Sequence, residues 1–200
     1  LFLAQRYVGA WLTDASVIDE SDIPSVSATV PAVDGETAAE CDPWLETFSD
    51  DFDGDAVDES RWIRFNSPDR NGNGVRRPEA ITVENGLLVI TGRQVDDEIV
   101  SGAMASRHQQ LYGRIEVRVR ADADPSETMS AMVITWPAGN EHPEGGEHDL
   151  YDTLTSSNRE PFYSYIHHPD STREEIVHNV SGAEWHVLAM EWTPDSITIH

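Results

Sequence analysis

The chain has 200 residues, and its 37 acidic residues against 13 basic ones give a formal net charge of −24 at pH 7. So acidic a chain is a poor partner for nucleic acid backbones and anionic membrane surfaces, and no apolar run is long enough to insert into a bilayer. A neutral polymer or neutral small ligand is easier to accommodate. All the basic residues are Arg, and the single cysteine, Cys41, excludes an intrachain disulfide.

The first 45 residues differ in composition from the rest of the chain. Residues 1–12 form a mixed apolar stretch that fits either a short helix or an exchanged strand. Residues 13–42 are rich in Ser, Ala, Val, Asp and Glu and contain two prolines, which is typical of an acidic linker or extended arm. We therefore predict a segment over 1–45, most simply a flexible leader without a chemical role, and a folded domain over 46–200.

After residue 45 the pattern is one of short strands and turns. The apolar runs at 81–83 and 87–91 flank Asn85-Gly86, a dipeptide that supplies the positive φ angles of a tight hairpin turn. Residues 114–120 alternate between charged and apolar side chains, which predicts a half-buried strand. Further strands are predicted over 129–136, as a core strand, and over 162–167, 185–192 and 196–200. Because helical periodicity is nearly absent, this pattern predicts an all-β sandwich or jelly roll.

Three acids lie close together in the segment Gly146-Glu-His-Asp-Leu-Tyr-Asp152. On a regular strand Glu147 and Asp149 share one face, about 7 Å apart, whereas Asp152 would lie on the other face. One β-bulge would return Asp152 to the face of Glu147. Such a cluster perturbs its own pKa values and suits glycoside hydrolysis by two carboxyl groups about 5–5.5 Å apart. The competing interpretation is that acids are simply common here, 37 in 200, and composition alone favours it.

Several fragments of the chain occur together in an order that is typical of one enzyme family. They are Phe48-Ser-Asp-Asp-Phe-Asp-Gly54 with Trp62, Asn71-Gly-Asn-Gly-Val-Arg76 with Ile81-Thr-Val-Glu-Asn-Gly-Leu87, Ser101-Gly102 with Tyr112-Gly-Arg-Ile-Glu-Val-Arg118, Trp136-Pro137 with Gly146-Glu-His-Asp-Leu-Tyr-Asp152, and Trp185-His186 with Glu191-Trp-Thr-Pro-Asp195. From about Phe48 to the end, the chain thus resembles glycoside hydrolase family 16, the group of laminarinases, lichenases, agarases and carrageenases. The resemblance implies a concanavalin A-like β-jelly roll of two curved antiparallel sheets, with a sugar-binding cleft on the concave sheet.

The resemblance also implies a role for each clustered acid. Glu147 occupies the position of the nucleophile that forms the glycosyl-enzyme intermediate, and Asp149 that of a helper that tunes and holds Glu147. Asp152 occupies the acid/base position, which is normally Glu in the family. Asp is shorter by one methylene, about 1.5 Å of reach, and a misplacement near 1 Å can cost about a hundredfold in rate. The motif therefore indicates the fold more firmly than the activity.

Other candidate substrate-binding residues follow from the same resemblance. Trp136 is interpreted as a sugar platform in the cleft or, equally, as a core residue. Asn73 and Arg76 lie on a loop that resembles the cleft-edge loop of the family, with a purely solvated loop as the alternative. The family has a sugar-contacting His just after the next strand, so His167 or His168 is expected to contact the substrate.

The sequence departs from the family pattern at three further points. His148 stands where the family usually has an aliphatic residue that faces the core, and His142 stands where related sequences often have Trp. The chain stops at His200, whereas the family domain usually continues for several strands. Further strands of a longer product, a partner chain or the N-terminal arm would complete the sheet, because an incomplete sandwich leaves open edges.

No metal site and no cofactor are predicted. The chain lacks an HExxH motif and Cys/His ligand spacing, and the adjacent His167 and His168 would face opposite ways on a strand. The run Asp51-Phe-Asp-Gly-Asp55 lacks the spaced Asx residues and closing Glu of a calcium loop. Family members often carry a structural calcium elsewhere, so a calcium ion stays open, with no residues assigned to it.

Three functions stay open on these observations. The first is a retaining endo-glycosidase on a β-linked neutral polysaccharide, either a β-1,3-glucan or a galactan. The second is a carbohydrate-binding domain without turnover, as Asp152 and His142 would allow. The third is a structural or adhesive domain of a larger surface assembly, such as a virus tail, joined to other chains through the N-terminal arm. All three imply a location outside the cell or on the surface of a cell or virion.

Overall fold

The computed structural model describes residues 2–3, 44–69 and 72–200, so most of the N-terminal segment lies outside the described residues. Its strands are β1 (Phe2–Leu3), β2 (Trp62–Arg64), β3 (Ser67–Pro68), β4 (Val75–Arg76), β5 (Ile81–Glu84), β6 (Leu87–Ile90), β7 (Arg93–Val95), β8 (Glu98–Ser101), β9 (Met104–Ser106), β10 (Gly113–Arg120), β11 (Met132–Thr135), β12 (Glu147–Asp152), β13 (Phe162–His167), β14 (Arg173–His178), β15 (His186–Trp192) and β16 (Ile197–Ile199). The helical structure of these described ranges is a 3₁₀ turn at Pro78–Ala80. The predicted all-β class is confirmed.

Two sheets form the main sandwich. One has six strands in the order β16-β15-β10-β1-β6-β5, and the other has four in the order β11-β12-β13-β14. The neighbours within both sheets pair antiparallel. A two-stranded sheet, β2-β9, and a second four-stranded sheet, β3-β4-β8-β7, lie beside them. In the described ranges, no helix has the length and apolar character needed to cross a bilayer.

The main core lies between the six-stranded sheet and the β11–β14 sheet. Ile115, Val117 and Val119 of β10 are at most 4% exposed, and the charged residues between them face outward, as the alternating pattern predicts. They pack in one cluster with Leu150 and Phe162 of the opposing sheet. Burying each such side chain contributes about 1.5–3 kcal/mol, so this cluster fixes the position of β12 relative to β10.

The predicted hairpin and the N-terminal strand are both placed in the six-stranded sheet. β5 pairs with β6 across Asn85 and Gly86, whose φ angles of 55° and 71° fit the predicted turn. Phe2 and Leu3 pair with both β6 and β10. Phe2–Leu3 thus form a strand in the middle of this sheet. A helix at the start of residues 1–12 is therefore wrong for Phe2–Leu3.

The strand predicted over residues 129–136 is shorter and less buried than expected. β11 begins at Met132, and the Met132 side chain is 42% exposed. Alternate side chains of β11 face opposite sides of the sheet, because successive residues of a strand alternate. Thr135 is buried on the core side, whereas Met132 lies beside Asp152. The side chains of this apolar run are therefore divided between the core and the opposite face of the sheet.

A buried arginine ties together the loops at one end of the β11–β14 sheet. Arg159 is 4% exposed, and its guanidinium donates hydrogen bonds to the carbonyl oxygens of Asp122, Met129 and Ser156 at 2.9, 2.6 and 3.3 Å. A buried charge must keep its hydrogen bonds to be tolerated. These bonds connect the loop that leads to β11 with the loop that follows β12, so they hold the two strands in register near Asp152.

Candidate active site

A β-bulge in β12 places the three clustered acids on one face. β13 advances two residues from Tyr165 to Tyr163 while β12 advances three, from Asp149 to Asp152. The two residues between these acids, Leu150 and Tyr151, both pack in the core. Because two consecutive side chains point inward, Asp152 returns to the face of Glu147 and Asp149. The bulge predicted from the spacing is confirmed.

The register of the β11–β14 sheet extends this face into three cross-strand rows. Glu147 lies opposite His167, which lies opposite Arg173. The second row is Ile134, Asp149, Tyr165 and Glu175, and the third is Met132, Asp152, Tyr163 and Val177. We call this surface the acidic face. Each carboxyl group thus has a ring from β13 beside it, and the row at Asp152 is otherwise apolar.

Glu147 is held from the loop that precedes β12. His142 Nε2 lies 3.0 Å from Glu147 Oε2, and the Glu147 side chain is 11% exposed. The His142 ring stacks on Trp136 with centroids 5.0 Å apart and an interplanar angle of 8°. Trp136 Nε1 in turn donates a hydrogen bond to Asn140 Oδ1 at 2.6 Å. Trp136 is therefore connected to Glu147 through the His142 ring, and its predicted role as a sugar platform stays a prediction.

Asp149 is the most perturbed of the three acids. Burial, followed by the charges of Glu147 and Asp152, raises its pKa to about 8. Glu147 lies on the same face of β12, two residues before Asp149. Its Oδ2 lies 3.3 Å from His167 Nε2, and its buried Oδ1 has no hydrogen-bond partner among the described residues. A pKa near 8 favours the protonated form of Asp149 at neutral pH.

Replacing Asp149 with Asn is expected to stabilise the fold in a pH-dependent way. The folded-state pKa of about 8 lies above the ordinary value of 3.8, so folding takes up a proton between these pH values. The cost is absent below pH 3.8, grows as pH rises and is complete above pH 8. Since about 1 kcal/mol shifts Tm by about 2–4 °C at this size, the variant should melt several degrees higher at pH 8 and equally at pH 3.5.

Thermal unfolding followed by circular dichroism at several pH values checks this expectation. The exposed Asp97 provides a matched control, because Asp97→Asn removes one carboxylate without changing a buried one. A Tm for Asp149→Asn equal to or below that of the wild type at pH 8 would show that Asp149 is not held in its protonated form.

Asp152 is also held in a way that favours its protonated form. Burial is the largest cause that raises its pKa, and Glu147 adds to it. The Leu154 N–H donates to Asp152 Oδ1 at 2.7 Å and, with Arg173, acts in the opposite direction. A carboxyl group whose pKa is raised can keep a proton for transfer to a leaving group.

The structure separates the other predicted substrate-binding residues. His167 lies on the acidic face, next to Asp149. His168 pairs instead with Glu174 at 3.0 Å, and Glu174 is the register partner of Ile166, on the other side of the sheet. His168 is therefore not placed with the acids. The expected opposite directions of the two histidines agree with these contacts.

Asn73 and Arg76 lie outside the β11–β14 sheet that carries the acids. Arg76 belongs to β4 in the small four-stranded sheet, and the Asn73 backbone N–H donates to Asp69 Oδ1 at 2.8 Å. In the described part of the chain, no hydrogen bond or ion pair joins either side chain to the three acids. Their predicted contact with the substrate stays a prediction.

His148 lies on the core side of β12, as predicted from its position between Glu147 and Asp149. Its Nδ1 is 2.8 Å from the Thr135 hydroxyl, and its ring lies 5.7 Å from that of Trp192. Burial, together with His167 and His168, lowers its pKa to about 4. His148 therefore stays neutral and packs like the aliphatic residue usual at this position.

Three residues of the acidic face were not predicted from the sequence. The rings of Tyr163 and Tyr165 are nearly parallel at 10°, with centroids 5.9 Å apart. The Arg173 guanidinium lies 4.6 Å from the Tyr165 centroid, and its charge lowers the pKa of both Asp149 and Asp152. For the two tyrosines the sequence did contain a signal. In the alternation Tyr163-Ser-Tyr165-Ile-His167, period two places both tyrosine rings on the same face as His167.

The described residues contain no group of three or more His, Cys, Asp or Glu side chains arranged to hold a metal ion. Imidazoles lie beside two of the acids: His142 Nε2 is 3.0 Å from Glu147 Oε2, and His167 Nε2 is 3.3 Å from Asp149 Oδ2.

Comparison with known proteins places the chain in a family. The sequence profile described as "Glycosyl hydrolases family 16" matches residues 69–200. The chain belongs to this family. The acids of β12 thus lie within the residues that match the family profile. The resemblance to family 16 seen in the ordered fragments is confirmed. A search of curated proteins found no significant match.

Solved structures of family 16 proteins share the fold. The catalytic domain of an endo-1,3-β-glucanase (laminarinase) from Thermotoga petrophila RKU-1 is 19% identical, with a TM-score of 0.64 over 78% of this chain and 73% of that one. A pseudo-β-1,3-glucanase and immunostimulatory antigen of Mycobacterium tuberculosis is 21% identical, with a TM-score of 0.63 over 76% and 70%. A lichenase from a mouse hindgut metagenome is 18% identical, with a TM-score of 0.61 over 76% and 72%. The predicted jelly-roll sandwich is confirmed.

Proposed function

We propose that this family 16 domain is a retaining endo-glycosidase that acts on a β-linked neutral glucan. The observation that carries the proposal is the bulge in β12, which places Glu147, Asp149 and Asp152 on one buried face. Burying acids next to one another is costly to fold: burial first, and the neighbouring negative charges second, raise the pKa values of Asp149 and Asp152. Perturbed acids of this kind are typical of catalytic sites.

The proposed mechanism gives each acid a separate task. Glu147 attacks the anomeric carbon and forms a covalent glycosyl-enzyme, while Asp152 donates its proton to the departing glycosidic oxygen. Asp152 then removes a proton from water, whose oxygen displaces Glu147 and releases the sugar with retained configuration. Asp149 keeps its proton throughout, so it places no second negative charge beside the Glu147 carboxylate when that group attacks or departs.

The surroundings of the acids support a sugar polymer as the substrate. Sugars bind where aromatic and apolar surfaces adjoin hydrogen-bonding groups. Tyr163 and the exposed Met132 and Val177 flank Asp152, while His167 adjoins Asp149. The net charge of −24 disfavours an anionic polymer. Structural relatives include a laminarinase and a lichenase, so β-1,3-linked glucans are the first candidates and galactans the second.

A binding domain without turnover is the second candidate function. It is favoured by Asp152, whose carboxyl group is one methylene short of the usual acid/base residue and is held by the Leu154 N–H. A similar fold occurs in a protein described as a pseudo-β-1,3-glucanase. Either function requires access to a polymer outside cells, so we propose an extracellular or surface location. Attachment of the domain to other chains of a larger surface assembly through residues 1–45 is a separate proposal, which is compatible with either function.

Incubation of the full chain with a polysaccharide panel tests both functions. Laminarin, lichenan, agarose and bacterial cell-wall galactan are assayed for new reducing ends and, by affinity electrophoresis, for binding. New reducing ends from laminarin or lichenan are expected for the glycosidase. Binding without reducing ends would select the second candidate, and the absence of both would overturn the proposed function.

A further inference from the structure

A histidine outside β12 contacts the proposed nucleophile directly. His142 Nε2 lies 3.0 Å from Glu147 Oε2, and the two side chains are only 22% and 11% exposed. We propose that His142 is a positioning residue: it donates a hydrogen bond to Oε2 and thereby directs Oε1 of Glu147 toward the anomeric carbon. This inference rests on the proposed function, since it assigns a task only if Glu147 attacks a sugar.

The direction of this hydrogen bond follows from the chemistry of its two groups. An ionised carboxylate only accepts hydrogen bonds, so the proton of the contact must lie on His142 Nε2. The neutral Nε2–H tautomer and the imidazolium both provide it. The contact therefore persists whether or not His142 is charged.

The loop that joins β11 to β12 fixes the His142 ring. The ring stacks on Trp136 at 8°, and Trp136 is itself held by the hydrogen bond from its Nε1 to Asn140 Oδ1. The His142 backbone N–H donates to the Asn140 carbonyl at 3.1 Å. Asn140 thus holds both members of the stack, one through its side chain and the other through its backbone. A stacked ring has little freedom to rotate, so Nε2 presents its proton in one direction.

Glu147 is consequently held from the side of this loop. His142 reaches its Oε2 from the loop, while Asp149 is its neighbour on the same face of β12. A glutamate side chain has three rotatable bonds, and without such contacts its carboxylate would sample several positions. Since a shift of about 1 Å in a reacting group can cost about a hundredfold in rate, fixing one oxygen in place is a direct contribution to attack by the other.

The test compares a variant that removes the donor with one that keeps it. His142→Leu fills the space without a donor, whereas the His142→Gln amide can still donate to Oε2. The substrate is the 2,4-dinitrophenyl β-disaccharide of the polysaccharide that is cleaved, such as the laminaribioside for laminarin. Its leaving group departs without a proton, so kcat/KM reports the attack by Glu147 and not the action of Asp152.

We expect kcat/KM to fall about 10- to 100-fold in His142→Leu and to stay near the wild-type value in His142→Gln. Calorimetric dissociation constants for laminarihexaose should be similar in all three proteins, because the proposal concerns positioning and not sugar binding. Equal values of kcat/KM for His142→Leu and wild type would overturn the inference alone. Equal losses in both variants would also overturn it, because a purely packing role of the ring would then explain them.

Two further measurements keep the outcome decisive. Thermal unfolding shows whether His142→Leu is folded. If it is not, His142→Ala, which also removes the donor, takes the place of the Leu variant in the comparison. A wild-type protein that leaves the dinitrophenyl substrate intact would overturn the proposed function and this inference with it. A wild type that cleaves the substrate, together with an unaffected His142→Leu, leaves the proposed function standing.

Discussion

The substitution Glu147→Gln is expected to lower kcat on laminarin or lichenan by about 10³-fold or more, which is the order of loss seen when a catalytic nucleophile or its partner is removed. Gln has nearly the same shape as Glu, but its amide oxygen is a poor nucleophile and cannot form the glycosyl ester. Binding should persist, because the apolar and aromatic side chains near Asp152 are unchanged. Reducing-end assays and affinity electrophoresis on the same preparation measure the two quantities.

Glu174→Gln is the matched control for this experiment. Glu174 is on the edge strand β14 of the same sheet, its side chain is 70% exposed, and it pairs with His168 away from the acidic face. The same chemical change there should leave turnover within about twofold of wild type, as expected for exposed surface substitutions. Turnover by Glu147→Gln at the wild-type rate would contradict the assignment of Glu147 as nucleophile.

Asp152→Glu has the second largest expected effect, and it is a gain. One added methylene extends the carboxyl group by about 1.5 Å, and the resulting improvement in proton transfer should raise kcat on polysaccharide by about 10- to 100-fold. The neighbouring Met132 is 42% exposed, so it can move to make room for the longer side chain. Initial rates of reducing-end release, compared between the variant and wild type, measure the gain.

A substrate with a different leaving group distinguishes improved proton transfer by residue 152 from a general increase in activity. A dinitrophenyl glycoside needs no proton from Asp152, so kcat/KM on it should be nearly the same in Asp152→Glu and wild type. Asp97→Glu, an exposed change of the same kind, should alter neither substrate. Equal rates for Asp152→Glu and wild type on polysaccharide would show that the shorter side chain does not limit this protein.

The features of the fold that are specified by nearby residues, such as the hairpin turn and the buried face of β10, could be predicted from the sequence. The turn at Asn85-Gly86 requires positive φ angles that these residues adopt readily, and period-two alternation identified the buried face of β10. The bulge was also predictable, because only one extra residue brings Asp152 to the face of Glu147. In each case the signal lies within a few residues of the feature it specifies.

The rest of the site depends on contacts that no local pattern encodes. The stack of His142 on Trp136 is set by the conformation of the loop between β11 and β12. Loop residues show no regular hydrophobic period, so this contact could not be predicted from the sequence. The pairing of Phe2 and Leu3 with β6 and β10 joins segments about 85 and 115 residues apart. Alternation predicted that His167 and His168 face opposite ways, but only the cross-strand register shows that His167 is the one beside Asp149.

The central claim, that Glu147 is the nucleophile of a retaining glycosidase, is tested most directly by trapping its covalent intermediate. The protein is incubated with the 2,4-dinitrophenyl 2-deoxy-2-fluoro glycoside of the cleaved disaccharide, which slows release of the sugar from the enzyme. Intact mass and peptide mapping then identify the labelled residue. We expect one fluoroglycosyl group per chain, attached to Glu147. An unlabelled protein, or a label on any other residue, would contradict the account.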